Sequence, residues 1–428
     1  MTDHPAADRL WAEFERLCDC GGRLSGTASE AAAMDLLVEL GESAMGAPVR
    51  RLPVPYLGWR PLKAELRLVG EGGGEGGGEA VACRPLVRSI ATPPGGLRAE
   101  VIDLGRGTPE EFAAHAAEIP GRIVLVRHER MFAAGTIHRR RKYAAALEAG
   151  AAGFLVAGPV EGALVAGSSG RAGGAGIPAM GIAPETARRL ARRAAGRPVV
   201  EMVLESEEGP AETHTLLFDL PGRSDEWVVL SAHIDGHDLA ESAMDNATGL
   251  AAALAAARAM APAVAGCRRG LRLAFFSVEE WALTGSEVYV AGLSEAERQA
   301  IALNVNLDSV AGGARLTALT SGFAGLEPFL LRTAEAAGVE LGLFRPLQMN
   351  SDHGNFASAG IPAFRLVAGF DDPAAATTLV LTPLDTRERV PPAELTRAAA
   401  LTEAIVRAAL DADPAEAARW REPQAAGA

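Results

Sequence analysis

The second half of this chain alternates short, continuously apolar runs with longer helical patterns, and that alternation constrains its fold most. Residues 228–232, 271–277, 304–308 and 361–367 read as strands. A strand with one wet face alternates polar and apolar residues, whereas these are apolar almost throughout, so both of their faces need covering. Residues 248–260, rich in alanine, and 392–410 read as helices that supply the cover. Aromatics are only 5% of the residues, so the core is built mainly from Ala, Leu and Val. The expected fold class is α/β: a mixed, largely parallel sheet flanked by helices.

The first half is organised differently. Residues 6–17 read as an amphipathic helix, and Ser25-Gly-Thr27 caps a second helix that runs through Met34 and Leu37. Residues 64–69 alternate like a strand. The low-complexity stretch GEGGGEGGGE, residues 70–79, has no following Lys-Ser/Thr to cradle a phosphate and reads as a flexible surface loop. Residues 93–198 have their own rhythm, with strands at 99–104, 122–126, 154–157 and 177–182 and helices at 141–149 and 184–193. No cluster of catalytic residue types occurs there. A chain of 428 residues is long for one domain. The expected division is a catalytic domain formed by 1–92 and 199–428, interrupted by a smaller α/β domain at 93–198.

Charge excludes some functions. The net charge is −13, and the densest basic run, Arg139 to Lys142, reads as a solvated helix face. No nucleic-acid partner is expected. Four cysteines make no disulfide framework, and Cys18 and Cys20 read as ordinary helix-end residues. The charged N-terminal segment has no signal-peptide pattern, and no apolar run of membrane-spanning length is free of charges or glycines. A cytoplasmic protein without a membrane partner is the expectation.

Chemistry-bearing residues gather just after the strand-like runs, where α/β sheets place their sites. VVLSAHIDGHD puts His233 and Asp235 after the first run, and AMDNATG puts Asp245 before a helix. LAFFSVEEW puts Glu279 and Glu280 after the second run, NVNLDSV ends the third on Asp308, and NSDHGNF carries His353 ahead of the fourth. Zinc takes imidazole nitrogen and carboxylate oxygen, and two metals about 3.5–4 Å apart can share a carboxylate. His233, Asp245 and Asp308 are the expected ligands of one metal, with Asp245 as the bridge. Glu280 marks a second position whose third ligand is open between His237 and His353. Asp235 is placed to accept the other ring N–H of His233. Glu279 is left free as general base. Each motif alone is common in structural roles; their joint order makes the site.

These residues resemble the co-catalytic zinc aminopeptidase family, which includes bacterial leucyl aminopeptidases, glutaminyl cyclases, glutamate carboxypeptidase II and carboxypeptidase Q. The family's H-x-D corresponds to His233-Ile-Asp235, its bridging Asp to Asp245 in Asp245-Asn-Ala-Thr-Gly249, its Glu-Glu pair to Glu279-Glu280 and its later Asp ligand to Asp308. Ser351-Asp352-His353 matches a segment near the family's site that does not usually supply a ligand. GGRLSGTASEAAAMDLL resembles the family's opening segment, while IATPPGGLRAEV and KYAAALEAGAAGFLV resemble the protease-associated domain inserted in carboxypeptidase Q. Two positions depart from the pattern. Ala282 stands where the family has Gly, after the bulky Trp281. Leu381, in Leu-Thr-Pro-Leu-Asp-Thr, stands where the family has a His ligand, and leucine cannot bind zinc.

The resemblance implies a zinc exopeptidase acting on small peptides, an aminopeptidase or dipeptidase, in which a hydroxide activated by Glu279 attacks the scissile carbonyl. It implies two zinc ions per chain, or one given Leu381, and leaves homodimerisation open. Trp281 and Arg365 are candidate substrate contacts; Glu241 and Asp238 are candidate anchors for a substrate ammonium. The rival readings are a glutaminyl cyclase-like acyltransferase, a hydrolase of another amide, and a receptor-like module that only binds.

Overall fold

The computed structural model describes residues 5–69, 78–192 and 197–422. The chain divides into two compact units. The larger comprises Met1–Tyr56, Glu212–Val380 and Asp385–Ala428; the smaller comprises Leu57–Ala211 and Leu381–Leu384. Two long strands, Arg50–Val69 and Val199–Leu220, carry the chain from one unit to the other. The smaller unit therefore begins earlier and ends later than the segment 93–198 delimited on sequence. The mixed polarity and three prolines of 50–69 disguise a strand of that length. The greater part of the low-complexity stretch, residues 70–77, lies outside the described residues.

In the larger unit the strand order is Leu341–Phe344, Leu316–Leu319, Ala363–Ala368, Ile301–Leu307, Trp227–His233, Gly270–Phe276, then the end of Val199–Leu220. Four of these six neighbouring pairs are parallel. The two antiparallel pairs are Leu316–Leu319 with Ala363–Ala368, and Gly270–Phe276 with residues 216–220. The central strands have both faces covered, as their apolar sequences require: every residue of Ile301–Leu307 is buried, and so is every residue of Trp227–His233 after Trp227. Thr248–Met260 packs on Trp227–His233 and on Pro392–Asp411. Its alanines leave little bulk between helix and sheet, and ten of its thirteen residues are buried. The helical stretch 243–266 is long and apolar enough to cross a membrane; here it is a core helix. Elsewhere Val229, Ala274 and Phe276 form a cluster with Tyr289, Phe356 and Ile361.

The connections from Trp227–His233 fix where a site can form. The next strand, Gly270–Phe276, lies on one side of it, and the following one, Ile301–Leu307, lies on the other. Chain direction thus reverses at His233, and the carboxyl ends of these strands open a crevice at a switch point.

The smaller unit has the strand order Val199–Leu220 (first part), Leu97–Asp103, Ile123–Arg127, Gly153–Ala157, Ala179–Ile182, Arg84–Pro85. The three middle pairs are parallel. Val101, Ile123, Leu125, Leu155 and Met180 lie in its core. The basic run on Arg139–Glu148 is only in part the solvated face read from the sequence: Arg141 is exposed. Arg139 and Lys142 are buried, because each has an internal acceptor: Arg139 Nε donates to Ser168 O at 2.7 Å, and Lys142 Nζ to Arg127 O at 2.9 Å and Glu129 Oε1 at 2.6 Å. All four cysteines are free.

Candidate metal centre

His233 ends its strand and Asp308 follows Leu307, so two neighbouring parallel strands aim an imidazole and a carboxylate into one crevice. Asp245 comes from the helical turn Ala243–Ala247 that leads into Thr248–Met260. His233 Nε2 lies 3.1 Å from Asp245 Oδ1 and 3.6 Å from Asp308 Oδ1. One donor atom from each of the three falls within 4.8 Å of the others. Tetrahedral zinc with bonds of about 2.0–2.1 Å sets its donors about 3.3 Å apart, which the two observed separations straddle. His233 Nε2 is buried and has no hydrogen-bond partner among the described residues. These residues fit a zinc ion. Burial opposes charge on the His233 ring, yet Glu279, Asp245 and Asp308 raise its pKa well above the ordinary value. The interior is set to hold a cation.

The chain around each donor explains its sequence. Asn246 Nδ2 donates to Leu307 O at 2.8 Å, and its Oδ1 accepts from the backbone of Gly249 at 3.0 Å and Ser309 at 3.2 Å. A Cβ on Gly249 would come within 2.2 Å of Asn246 Oδ1 and 2.6 Å of Leu307 O, so the Asp-Asn-x-x-Gly spacing ties the ligand turn to the Asp308 strand. Asp385 accepts from Met244 N at 2.7 Å and Asp245 N at 3.4 Å, and burial, then the Asp245 charge, pushes its carboxyl up to about 8. Arg23, fully buried, donates to the carbonyls of Ile234, Glu241 and Ser242. The positioning roles of Arg23 and Asp385 depend on contacts across more than 100 residues of sequence, which no local motif reveals.

Asp235 does not do what its spacing suggested. His233 Nδ1 lies 2.8 Å from the backbone carbonyl of Asp235, not from its carboxylate. The carboxylate turns the other way, where it accepts the N–H groups of Glu279 at 3.0 Å and Glu280 at 3.1 Å and the hydroxyl of Ser25 at 3.1 Å. One residue thus orients the imidazole with its carbonyl and the Glu-Glu turn with its side chain. Glu279 is 6% exposed. Burial raises its pKa well above the carboxylate range, His233 opposes that, and Glu280, Asp352 and Asp308 add to it. A carboxyl that takes a proton this readily suits a general base.

The remaining expectations fare differently. Arg365, read as a substrate contact, is 1% exposed and holds Asp308 Oδ1 at 2.9 Å; its charge balances a ligand. Trp281, the other expected substrate contact, is 1% exposed and packs edge-to-face on Tyr56 with centroids 5.2 Å apart, so it braces the turn instead. Glu241 is engaged by Arg387 at 2.9 Å, and Asp238 is exposed. His237 Nε2 lies 2.7 Å from Glu280 Oε2. His353 stands outside the three-residue group. It is buried with neither ring nitrogen hydrogen-bonded among the described residues, and burial, then Arg365, pushes its pKa down to about 3. Asp352, beside it, was not singled out by the sequence as a site residue; burial pushes it up to about 7, against His233 and Ser286 and with Asp235 and Asp308. Leu381 belongs to the smaller unit, where its carbonyl accepts from Ala166 at 2.8 Å.

Residues 215–406 match the profile of peptidase family M28, and residues 84–190 match that of the PA domain. The chain thus carries an M28 peptidase segment and an inserted PA domain. The M28 profile covers His233, Asp245, Glu279, Glu280 and Asp308, and the PA profile lies within the smaller unit. The chain is 25% identical over 396 residues to the probable lipoprotein aminopeptidase LpqL of Mycobacterium tuberculosis, covering 86% of this chain and 75% of that protein. The zinc aminopeptidase BSAP from Bacillus subtilis has the same fold, with a TM-score of 0.74 at 22% identity over 96% of this chain and 97% of that one. A peptidase M28 precursor from Shewanella amazonensis matches with a TM-score of 0.75, at 22% identity over 95% and 93%.

Proposed function

We propose that this M28 protein is a zinc aminopeptidase that removes N-terminal residues from small peptides. The observation that carries the reading is the buried group of His233, Asp245 and Asp308, with donor spacing suited to zinc and with Glu279 beside it. The relatives named aminopeptidases support the choice of reaction.

Zinc held by these three side chains would supply Lewis acidity, acidifying water and polarising a peptide carbonyl. The chain's own residues do the rest. Glu279 takes the proton of the attacking water and passes it to the leaving amine. Asp235 fixes the backbone of Glu279 and Glu280 through two N–H bonds, so the base is aimed before substrate arrives. Arg365 neutralises Asp308 at Oδ1, the oxygen that His233 Nε2 also approaches, and keeps the carboxylate ionised. Burial excludes bulk water from Glu279 and strengthens each of these interactions.

The test is a panel of unblocked and N-blocked dipeptides with zinc-loaded protein. Release of amino acids from the unblocked members alone is expected. Conversion of N-terminal Gln peptides without amino-acid release would establish the cyclase reading instead, and cleavage confined to blocked substrates would establish another amide hydrolase.

A further inference from the structure

The entry to the helix Ala28–Met45 makes more polar contacts than a helix cap needs. Thr27-Ala-Ser-Glu30 has the spacing of a capping box, in which Glu30 would reach back to the N–H of Thr27. Only half of that box forms. Thr27 Oγ1 accepts from Glu30 N at 3.4 Å, but Thr27 N donates to the carbonyl of Leu24 at 3.2 Å, which leaves the Glu30 carboxylate to other partners. Its Oε2 accepts from Gly26 N at 2.6 Å, and its Oε1 accepts from Ser277 Oγ at 2.5 Å and Thr213 Oγ1 at 3.0 Å. Ser25, on the same short segment, donates its hydroxyl to Asp235 Oδ2 at 3.1 Å. Ser25, Glu30, Asp235 and Ser277 are each 4% exposed or less.

Both contacts lead to the turn that carries Glu279. Val278 has a φ of 59°, in the left-handed region that a β-branched residue rarely enters. Such backbone persists only where its surroundings over-determine it. Here it is pinned on both sides. Glu30 holds Ser277, immediately before Val278, and the Asp235 carboxylate holds the N–H groups of Glu279 and Glu280, immediately after it. Bonds within the turn, such as Thr284 N to Val278 O at 3.0 Å, fix its shape. The anchors at Ser277 and Asp235 fix its place beside His233, and both of them are held from residues 25–30. A general base acts only within hydrogen-bond reach of its proton, so a turn that relaxes by a fraction of its strain carries Glu279 out of place.

We propose that Ser25 and Glu30 are positioning residues for the base Glu279, Ser25 acting through Asp235 and Glu30 through Ser277, a proposal that rests on the zinc-peptidase reading above. The segment before the helix thereby serves the reaction as well as the cap.

The experiment is a double-mutant cycle on full-length, zinc-loaded protein hydrolysing an unblocked dipeptide. Ser277→Ala cuts the link from Glu30 to the turn and leaves the bonds of Glu30 to Gly26 and Thr213 in place; Ser25→Ala cuts the other link. Each should lower kcat by about 10–100-fold, as a displacement of about 1 Å does, with KM and zinc content equal to wild type. In a Glu279→Gln background neither should lower kcat further, because the base they position is already gone. An equal fall in both backgrounds would show a merely structural role and overturn the inference, as would unchanged kcat, or a fall matched by loss of zinc. No hydrolysis by wild type would overturn the peptidase reading and the inference with it. Circular dichroism checks each fold, and Ser25→Ala carries the test if Ser277→Ala does not fold.

Discussion

Arg365 reaches Asp308 at 2.9 Å inside a site where both side chains are almost fully buried. Burial alone would raise the Asp308 carboxyl, yet Arg365 and His233 hold it below the usual carboxylate range. The guanidinium therefore does for the empty ligand part of what zinc does for the loaded one. Arg365→Met should cost the metal-free protein about 3–5 kcal/mol, the cost of leaving a buried charge without its partner. In the zinc-loaded protein the cost should be smaller, because the metal takes over the compensation. Urea unfolding with and without zinc checks this; equal losses in both states would mean that Arg365 only fills space.

Neutralising Glu279 should stop chemistry without disturbing the metal. Glu279→Gln keeps its volume and removes the base. Loss of a general base typically costs about 10²–10⁴-fold in rate. The expected result is a fall of that size in kcat with zinc content equal to wild type. Full activity in a zinc-loaded Glu279→Gln variant would remove the proposed mechanism.

The strands and the ligand-bearing loops were legible because their signals are local. Val228 to Ala232 is apolar because it is covered on both faces, and a metal ligand must be His, Asp, Glu or Cys. Thr248–Met260 appears in the sequence with the bounds it has in the structure. What escaped was direction. Sequence spacing places Asp235 near His233 but not which of its oxygens faces the ring, and the carbonyl took the position expected of the carboxylate. Arg365 looked available to a substrate because its partner Asp308 lies 57 residues away. Arg139 and Lys142 looked solvated because their acceptors, Ser168 O and Arg127 O, are backbone atoms that no composition signal reveals. Short strands such as Leu316–Leu319 and Leu341–Phe344 carry too few residues for a period to show.

The divided role of Asp235 makes a discriminating prediction. Its carboxylate supports the Glu279–Glu280 turn while its carbonyl supports His233. Asp235→Ala keeps the carbonyl. Removing such an outer support typically costs about 10–100-fold. That loss should fall on kcat, with zinc affinity of the His233 site little changed. A matching loss of zinc affinity would mean that the carboxylate, not the carbonyl, sets the imidazole.

Ala282 occupies a backbone conformation with φ of 103°, between Val278 at 59° and Leu283 at 65°. A Cβ is disfavoured there, and glycine adopts such angles freely. Its N–H closes the turn by donating to Glu279 O at 3.0 Å, so the conformation is fixed by the site rather than chosen by the residue. Ala282→Gly should raise stability by about 1 kcal/mol. Thermal unfolding monitored by circular dichroism reads this as a small rise in Tm; a fall would mean that the methyl group is a packing contact.

His353 gives the larger unit an acid sensitivity. Burial, then Arg365, pushes its pKa down to about 3, against 6.5 for a free imidazole. Between those values the unfolded chain binds a proton at this position and the folded chain does not. Stability is therefore fully present above about pH 6.5 and declines as pH falls, by up to about 1.4 kcal/mol per pH unit until about pH 3. Because neither ring nitrogen has a hydrogen-bond partner among the described residues, His353→Phe removes the titration while keeping a buried ring. Wild type should lose urea resistance between pH 7 and pH 4 more steeply than His353→Phe, the two curves diverging below about pH 6.5. Parallel curves over that range would show that His353 takes up its proton alike in the folded and unfolded chain.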